Sequence, residues 1–402
     1  MKIFHFDVVN VFKTITLIIL INSKSVFLKE SVITAIDQRG DRLNFTELAY
    51  GHPAEEYHVI TEDGYILGIF HLPGYRGLPL LLMHGIMDSS DTWIIRGNNS
   101  LGITLANLGY DVWLGNCRGN LYSRRHVYLD AENDAPAYWN FSFHEHGLYD
   151  LPAIIDFVLS RTGTDKLNAI GFSQGNTIFY VMASLRPEYN DRVNLLISLA
   201  PIAFLGNLGP PLSLLIDVSP DLITIGRSLQ QYEVFGNSLT GFIHRGICSM
   251  PFLGYFLCSF GFVFPIAGYD LLEYDYDFHY KVTRMKFPMS ISLKNLNHFA
   301  QVRKRGRFSQ FDYGYGNIEV YGSVEPPDYD LNKVTMPVAL LCGQNDKLAK
   351  QKDVEVLKEA LRNTVQFTLL EYKEMNHVDF TWGKNMDNYL FPYILQILNK
   401  SV

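Results

Sequence analysis

The feature that most constrains this chain is a rhythm of short apolar runs. Residues 78–83, 110–114, 167–172 and 193–200 are such runs, each closing on or beside Gly, Pro, Asn or Ser. They are too short for helices and apolar throughout rather than alternating, as strands must be when helices cover both faces of a parallel sheet. Between them, Leu148, Leu151, Ile155, Val158 and Leu159 share one helical face that ends at Gly163, and residues 176–185 predict a second helix stopped near Pro187. This alternation predicts an α/β fold, a doubly wound and mainly parallel sheet.

The rhythm breaks after Pro201. Pro210, Pro211, Pro220, Pro251, Pro265 and Pro288 punctuate Phe- and Leu-rich segments without a clean period, and a strand signal returns only at residues 337–343. Residues 351–361 then predict a helix, 365–370 a strand and 386–399 a closing helix. The expected organisation is a core built from residues 26–201 and 325–402, interrupted by an insertion over residues 202–324.

The N-terminus sets Lys2 and Lys13 ahead of an apolar run over residues 14–21, followed by polar residues 22–25. This is the layout of a signal peptide over residues 1–25. The run falls far short of the roughly 20 residues that span a bilayer, and no later stretch reaches that length, so no permanent membrane anchor is expected. Entry into the secretory pathway agrees with N-x-[ST] sequons at Asn44, Asn98, Asn140 and Asn399, which are candidate glycan sites. In an oxidising lumen Cys248 and Cys258, close together across Pro251 and Gly254, could close a small loop, whereas Cys117 and Cys342 follow apolar runs and read as packed thiols.

Composition removes other classes. With 34 basic against 41 acidic side chains the net charge is −7, which offers no field for a nucleic acid partner. The basic run Arg303, Lys304, Arg305 and Arg307 reads as a solvated face. Hydrophobic residues at 48% rule out disorder. His144 and His146 lack a third ligand at metal spacing and read as a solvated helix start, and no nucleotide or calcium motif is present, so no metal or cofactor is expected.

The chemistry lies where the strand at residues 167–172 meets the helix at 176–185. Gly171, Ser173 and Gly175 form a G-x-S-x-G turn there, the context of a nucleophile elbow, whose crowding admits only small flanking residues. A serine hydroxyl becomes nucleophilic when a histidine takes its proton and a carboxylate orients the histidine. In this architecture the order along the chain is serine, acid, histidine, and of the later histidines only His377 lies beyond the returning strand. Asp346, just past that strand, is the expected acid, and Asp353, in the next helix, is the fallback read as facing solvent or its helix dipole. The main-chain amides of Gln174 and Ile86 are the expected oxyanion donors. His84 precedes the serine and reads as a hydrogen-bonding shaper of its loop.

These residues resemble those of the acid lipase family, the gastric and lysosomal acid lipases, and most of all its insect members. The resemblance runs from about Tyr50 to Lys400. It rests on residues 62–65, 82–86, 98–101, 111–120, 122–124 and 149–152, the elbow at Ser173, residues 198–201, 294–301, 345–349 and 376–380. It implies an α/β-hydrolase fold with Ser173, Asp346 and His377 as the triad, Ile86 and Gln174 as the oxyanion hole, an inserted cap with a lid, and a disulfide between Cys248 and Cys258. The expected activity is hydrolysis of lipid carboxylic esters, acylglycerols first, at a lipid–water interface, by a secreted or lysosomal glycoprotein. The competing expectations are an esterase for sterol or soluble esters and a non-catalytic lipid-binding relative. The chain departs from the family at Phe172, at residues 349–351 and at Ser290, which stands in place of a glycine.

Overall fold

The computed structural model describes Phe45, residues 51–280 and residues 286–400. The expected signal peptide and Asn44 lie outside the described residues. Strands β1 (Glu55–Ile60), β2 (Tyr65–Leu72), β3 (Arg76–Met83), β4 (Tyr110–Gly115), β5 (Arg125–His126), β6 (Leu167–Phe172) and β7 (Val193–Leu199) precede the insertion. Two-residue strands β8 (Glu233–Val234) and β9 (Ile291–Ser292) lie within it, and β10 (Val338–Cys342) and β11 (Thr364–Leu369) follow.

The main sheet runs β1-β2-β4-β3-β6-β7-β10-β11, with β5 beside β2. From β4 to β11 every pairing is parallel, whereas β1 and β2 are antiparallel additions. The apolar runs are its centre: Leu80, Leu82, Ala169, Ile170, Leu196, Ile197, Leu340 and Leu341 are fully buried. Burial of both faces accounts for their unbroken apolar sequence. The longer helices are α1 (Leu101–Asn107), α2 (Leu151–Thr162) and α3 (Gln174–Leu185) before the insertion, α4 (Ser219–Ser228), α5 (Leu239–Cys248), α6 (Leu253–Cys258) and α7 (Leu293–Arg305) within it, and α8 (Gln351–Ala360) and α9 (Phe391–Lys400) after it, together with shorter turns. Gly163 closes α2 in the left-handed conformation expected of a helix stop. The closing helix is divided, however: Met386–Tyr389 forms one turn and α9 begins at Phe391, since Pro392 lacks the amide a continuous helix would need.

Among its described residues the insertion is mainly helical, crossed by the β8–β9 pair, and it encloses a small second core. Phe264, Ala267, Tyr274 and Phe278 pack there with Ile95 and Trp382. It belongs to the same compact unit as the sheet, Phe45–Val402. Cys248 and Cys258 are joined as a disulfide between α5 and α6, while Cys117 and Cys342 are buried free thiols. The basic run at the end of α7 is paired with acids: Arg305 binds Asp312 and Glu325, and Arg307 binds Asp328 and Glu325. No described helix is long and apolar enough to cross a membrane. The sequon residues Asn98, Asn140 and Asn399 are exposed.

Candidate active site

Ser173 sits on the first residue after β6, at φ 53° and ψ −118°, a region that side-chain-bearing residues avoid. Strain of this kind persists only where the surroundings hold it. Here the Ser173 amide donates to Leu199 O on β7 at 3.0 Å, and Asn176 Nδ2 donates to the same carbonyl at 2.7 Å. The turn also needs close backbone approach. A Cβ on Gly175 would stand 2.2 Å from the Met83 carbonyl oxygen, so only glycine lets the end of β3 pack against the elbow.

The expected acid and base arrive from the ends of β10 and β11, beyond β7 in the sheet. Asp346 follows β10 and His377 follows β11, and both reach the edge where β6 ends. His377 Nε2 lies 2.9 Å from Ser173 Oγ and His377 Nδ1 lies 2.8 Å from Asp346 Oδ2. The other carboxylate oxygen of Asp346 accepts the amides of Leu348 and Ala349, both at 2.8 Å. Because backbone makes these bonds, the departure at residues 349–351 leaves the carboxylate held. Phe172, the departure before the serine, packs its ring 5.2 Å from the His377 ring. Ser173, Asp346 and His377 are all at most 4% exposed.

The loop after β3 faces the elbow. A Cβ on Gly85 would lie 3.3 Å from Ser173 Cβ, so the loop that leads into Ile86 closes on the serine, while Gln174 opens α3 directly after it. His84 shapes this loop. Its Nδ1–H donates to Gly85 O at 2.7 Å, and Nε2 accepts from the Cys117 amide at 3.2 Å. Burial lowers its pKa to about 4, which keeps the ring neutral in that role.

Asp353 takes the second of its two expected places: it lies in the first turn of α8, at the positive end of the helix dipole, and not in solvent. It is buried there and accepts from the Asn207 amide at 3.0 Å and from Asn207 Nδ2 at 2.8 Å, anchoring the start of the insertion. One expectation fails: the 144–146 segment is no solvated helix start. Glu145 pairs with Lys294 at 3.1 Å, His144 Nδ1 meets the Tyr329 hydroxyl at 2.8 Å, and His146 is buried beside Gln174. Both segments look polar in sequence, but their partners come from distant positions that local pattern does not reveal. The two histidines turn to different partners, which is not the geometry of a metal pair. Ser290 donates to Glu233 at 2.6 Å, and Glu233 forks with Arg124, so the residue in place of the glycine joins an ion pair.

The sequence reading missed a strap. The carbonyl of Ala267, in the insertion, accepts both the Lys347 amide at 3.2 Å and the His377 amide at 3.1 Å. Beside it, Tyr269 O accepts from Asn345 Nδ2 at 2.8 Å and Gly268 O from Asn376 Nδ2 at 3.2 Å. Gly268, at φ 117°, is the one local signal: a Cβ there would lie 2.2 Å from Asn345 O.

Asp379, two residues past the histidine, is buried and accepts the Asn376 amide at 2.8 Å. Burial holds its pKa well above the usual 3.8, and the carboxylates of Asp270, Glu273 and Asp346 push the same way. The folded state therefore keeps this proton at pH values where the unfolded chain has lost it. Its contribution to stability is full in acid and falls as pH rises above the ordinary carboxylate range. Asp379→Asn is expected to raise the unfolding temperature at pH 7 by about 2 °C or more and to change it little at pH 4. A thermal melt at the two pH values checks it; equal shifts at both would contradict this account.

A mainly parallel sheet whose strand β6 runs into a strained serine, with an aspartate and a histidine brought to it from the ends of β10 and β11, defines an α/β-hydrolase. A family model described as "alpha/beta hydrolase fold" matches residues 79–223, and one described as "Partial alpha/beta-hydrolase lipase region" matches residues 47–97. Lipase 1 of Drosophila melanogaster is 39% identical over 356 residues, covering 87% of this chain and 78% of its own. Gastric triacylglycerol lipase of Homo sapiens is 34% identical over 377 residues, covering 87% and 89%. Among solved structures, a soluble variant of monoglyceride lipase from Saccharomyces cerevisiae shares the fold, with a TM-score of 0.53 at 18% identity over 88% of this chain and 97% of that one. The chain belongs to the acid lipase family of the α/β-hydrolases.

Proposed function

We propose that this protein is a lipase of the secretory pathway, working outside the cell or in the lysosome, that hydrolyses carboxylic esters of lipids, acylglycerols foremost. The observation that carries the reading is the unbroken chain of hydrogen bonds from Asp346 through His377 to Ser173 Oγ. In the reaction, His377 Nε2 takes the hydroxyl proton as Ser173 Oγ bonds to the ester carbonyl carbon, while the amides of Ile86 and Gln174 hold the oxyanion. The intermediate collapses to an acyl-serine, and the departing alcohol takes the proton from His377. Water then gives a proton to Nε2 as its oxygen attacks the acyl carbon, and the fatty acid leaves with Ser173 restored. No step calls for a metal or cofactor. Residues 202–324 act as a cap over the acyl site. Its outward apolar side chains support a lipid–water interface as the working place: Phe252 and Leu272 are 75% exposed and Phe256 57%. The relatives named as gastric triacylglycerol lipases support the acylglycerol assignment.

The test compares the purified protein with Ser173→Ala on an emulsified long-chain triacylglycerol and on a soluble short-chain ester. The expected result is a rate that rises once an emulsion forms, and a loss of about 10⁴-fold to 10⁶-fold in the variant. A soluble-ester rate with no rise at the emulsion would make it an esterase. Silence of both proteins on every ester would leave only a lipid-binding role.

A further inference from the structure

The segment 294–301 is one of the stretches that carry the family resemblance, yet nothing in the mechanism uses it. Its residue Asn295 lies in the first turn of α7, held by its own amide donating to the capping Ser292 Oγ at 2.9 Å. The side-chain orientations around it follow from one donor that has no choice. The Phe143 amide donates to Asn295 Oδ1 at 2.7 Å, so the Asn295 NH₂ group must point away from it, and Nδ2 donates to Gln174 Oε1 at 2.6 Å. Gln174 Nε2 is then left to donate to His146 Nδ1, 3.3 Å away. Asn295, Gln174 and His146 are all at most 3% exposed. Burial also lowers the pKa of His146 to about 3, which keeps the ring neutral and leaves it one nitrogen able to accept.

We propose that Asn295 is a positioning residue of the oxyanion hole: it fixes the Gln174 side chain from the cap side and thereby holds the Gln174 main-chain amide aimed at the oxyanion. The inference rests on the function proposed above and adds a residue to it. The side chain of Gln174 is gripped at both ends, so it cannot turn without orphaning a buried donor or acceptor. Its backbone follows directly on the strained Ser173, where φ is 53°, and a small rotation there would swing the amide away from the developing charge. A grip that comes from α7 makes this amide depend on how the insertion is seated.

The test uses the full-length protein and two variants, Asn295→Ala and the volume-conserving Gln174→Met, which keeps the main-chain donor but loses both side-chain hydrogen bonds. Measured are kcat and KM on a soluble short-chain ester, affinity for a trifluoromethyl ketone that forms a tetrahedral adduct with serine, and the thermal midpoint. Each variant is expected to lose about tenfold to a hundredfold in kcat with KM within twofold, and to bind the ketone more weakly by the same factor. The double variant is expected to lose no more than either single one, because both cut the same connection. Should Asn295→Ala fail to fold, Gln174→Met decides alone. A folded variant with unchanged kcat would overturn the role while leaving the proposed function intact. A wild-type protein inactive on every ester would overturn both.

Discussion

Asp346→Asn is expected to lower kcat by about ten-thousandfold while the protein stays folded. In the native site Asp346 Oδ1 accepts the two amides of Leu348 and Ala349, and Oδ2 accepts the Nδ1–H of His377. An asparagine keeps its oxygen on the two amide donors, which have no other use for that position, and so turns its NH₂ toward His377. Nδ1 must then accept, the ring proton moves to Nε2, and the nitrogen facing Ser173 Oγ at 2.9 Å can no longer take a proton. Steady-state hydrolysis of a soluble ester checks the rate, and a thermal melt checks the fold. A loss of less than about tenfold would mean that the acid has another source.

The largest expected effect on stability lies away from the reaction. Arg118 and Asp150 are fully enclosed between β4 and α2, with Arg118 Nε 2.7 Å from Asp150 Oδ1 and the Arg118 amide 3.0 Å from Oδ2. Asp63 completes the guanidinium from the surface side at 2.8 Å, and the Tyr65 ring lies 3.9 Å beneath it. Replacing Asp150 with alanine removes the one fully buried counter-charge and leaves the cation only the partly exposed Asp63, at a cost of about 3 kcal/mol. Asp63→Ala, whose carboxylate is 30% exposed, is expected to cost about 1 kcal/mol, because water can take its place. Denaturant unfolding of the two variants beside the wild type measures the contrast, and equal losses would refute the account.

How much of this was legible in the sequence depended on whether the signal was local. Strands β3, β6, β7 and β10 could be read because burial on both faces leaves an uninterrupted apolar run. The elbow could be read because a steric demand for small residues falls within five positions of Ser173. Asp346 and His377 followed from their order after returning strands. Strands β1 and β2 escaped notice: β1, Glu55–Ile60, is an edge strand whose polar and apolar residues mix without a buried face, and β2, Tyr65–Leu72, though apolar and buried, lies outside the parallel strand–helix rhythm that made the others stand out. The insertion hid its organisation because its anchors are long-range, as with Asp353 on Asn207 and Glu145 on Lys294, so that charged residues read as solvated when they are buried and paired. The strap at Ala267 was the least visible of all, since a carbonyl oxygen carries no side-chain signature.

That strap bears on how relatives of this protein can be recombined. Segments after β7 and before β10 look like an interchangeable module, bounded by two strands that pair side by side. Yet a single carbonyl within that module, on Ala267, ties down the loops that present both Asp346 and His377. A chimera that grafts a foreign cap for altered acyl preference must therefore bring a matching acceptor at this point or retain residues 264–269 from the recipient. Splicing only at the obvious strand boundaries exchanges part of the scaffold that aligns the triad together with the specificity it was meant to change.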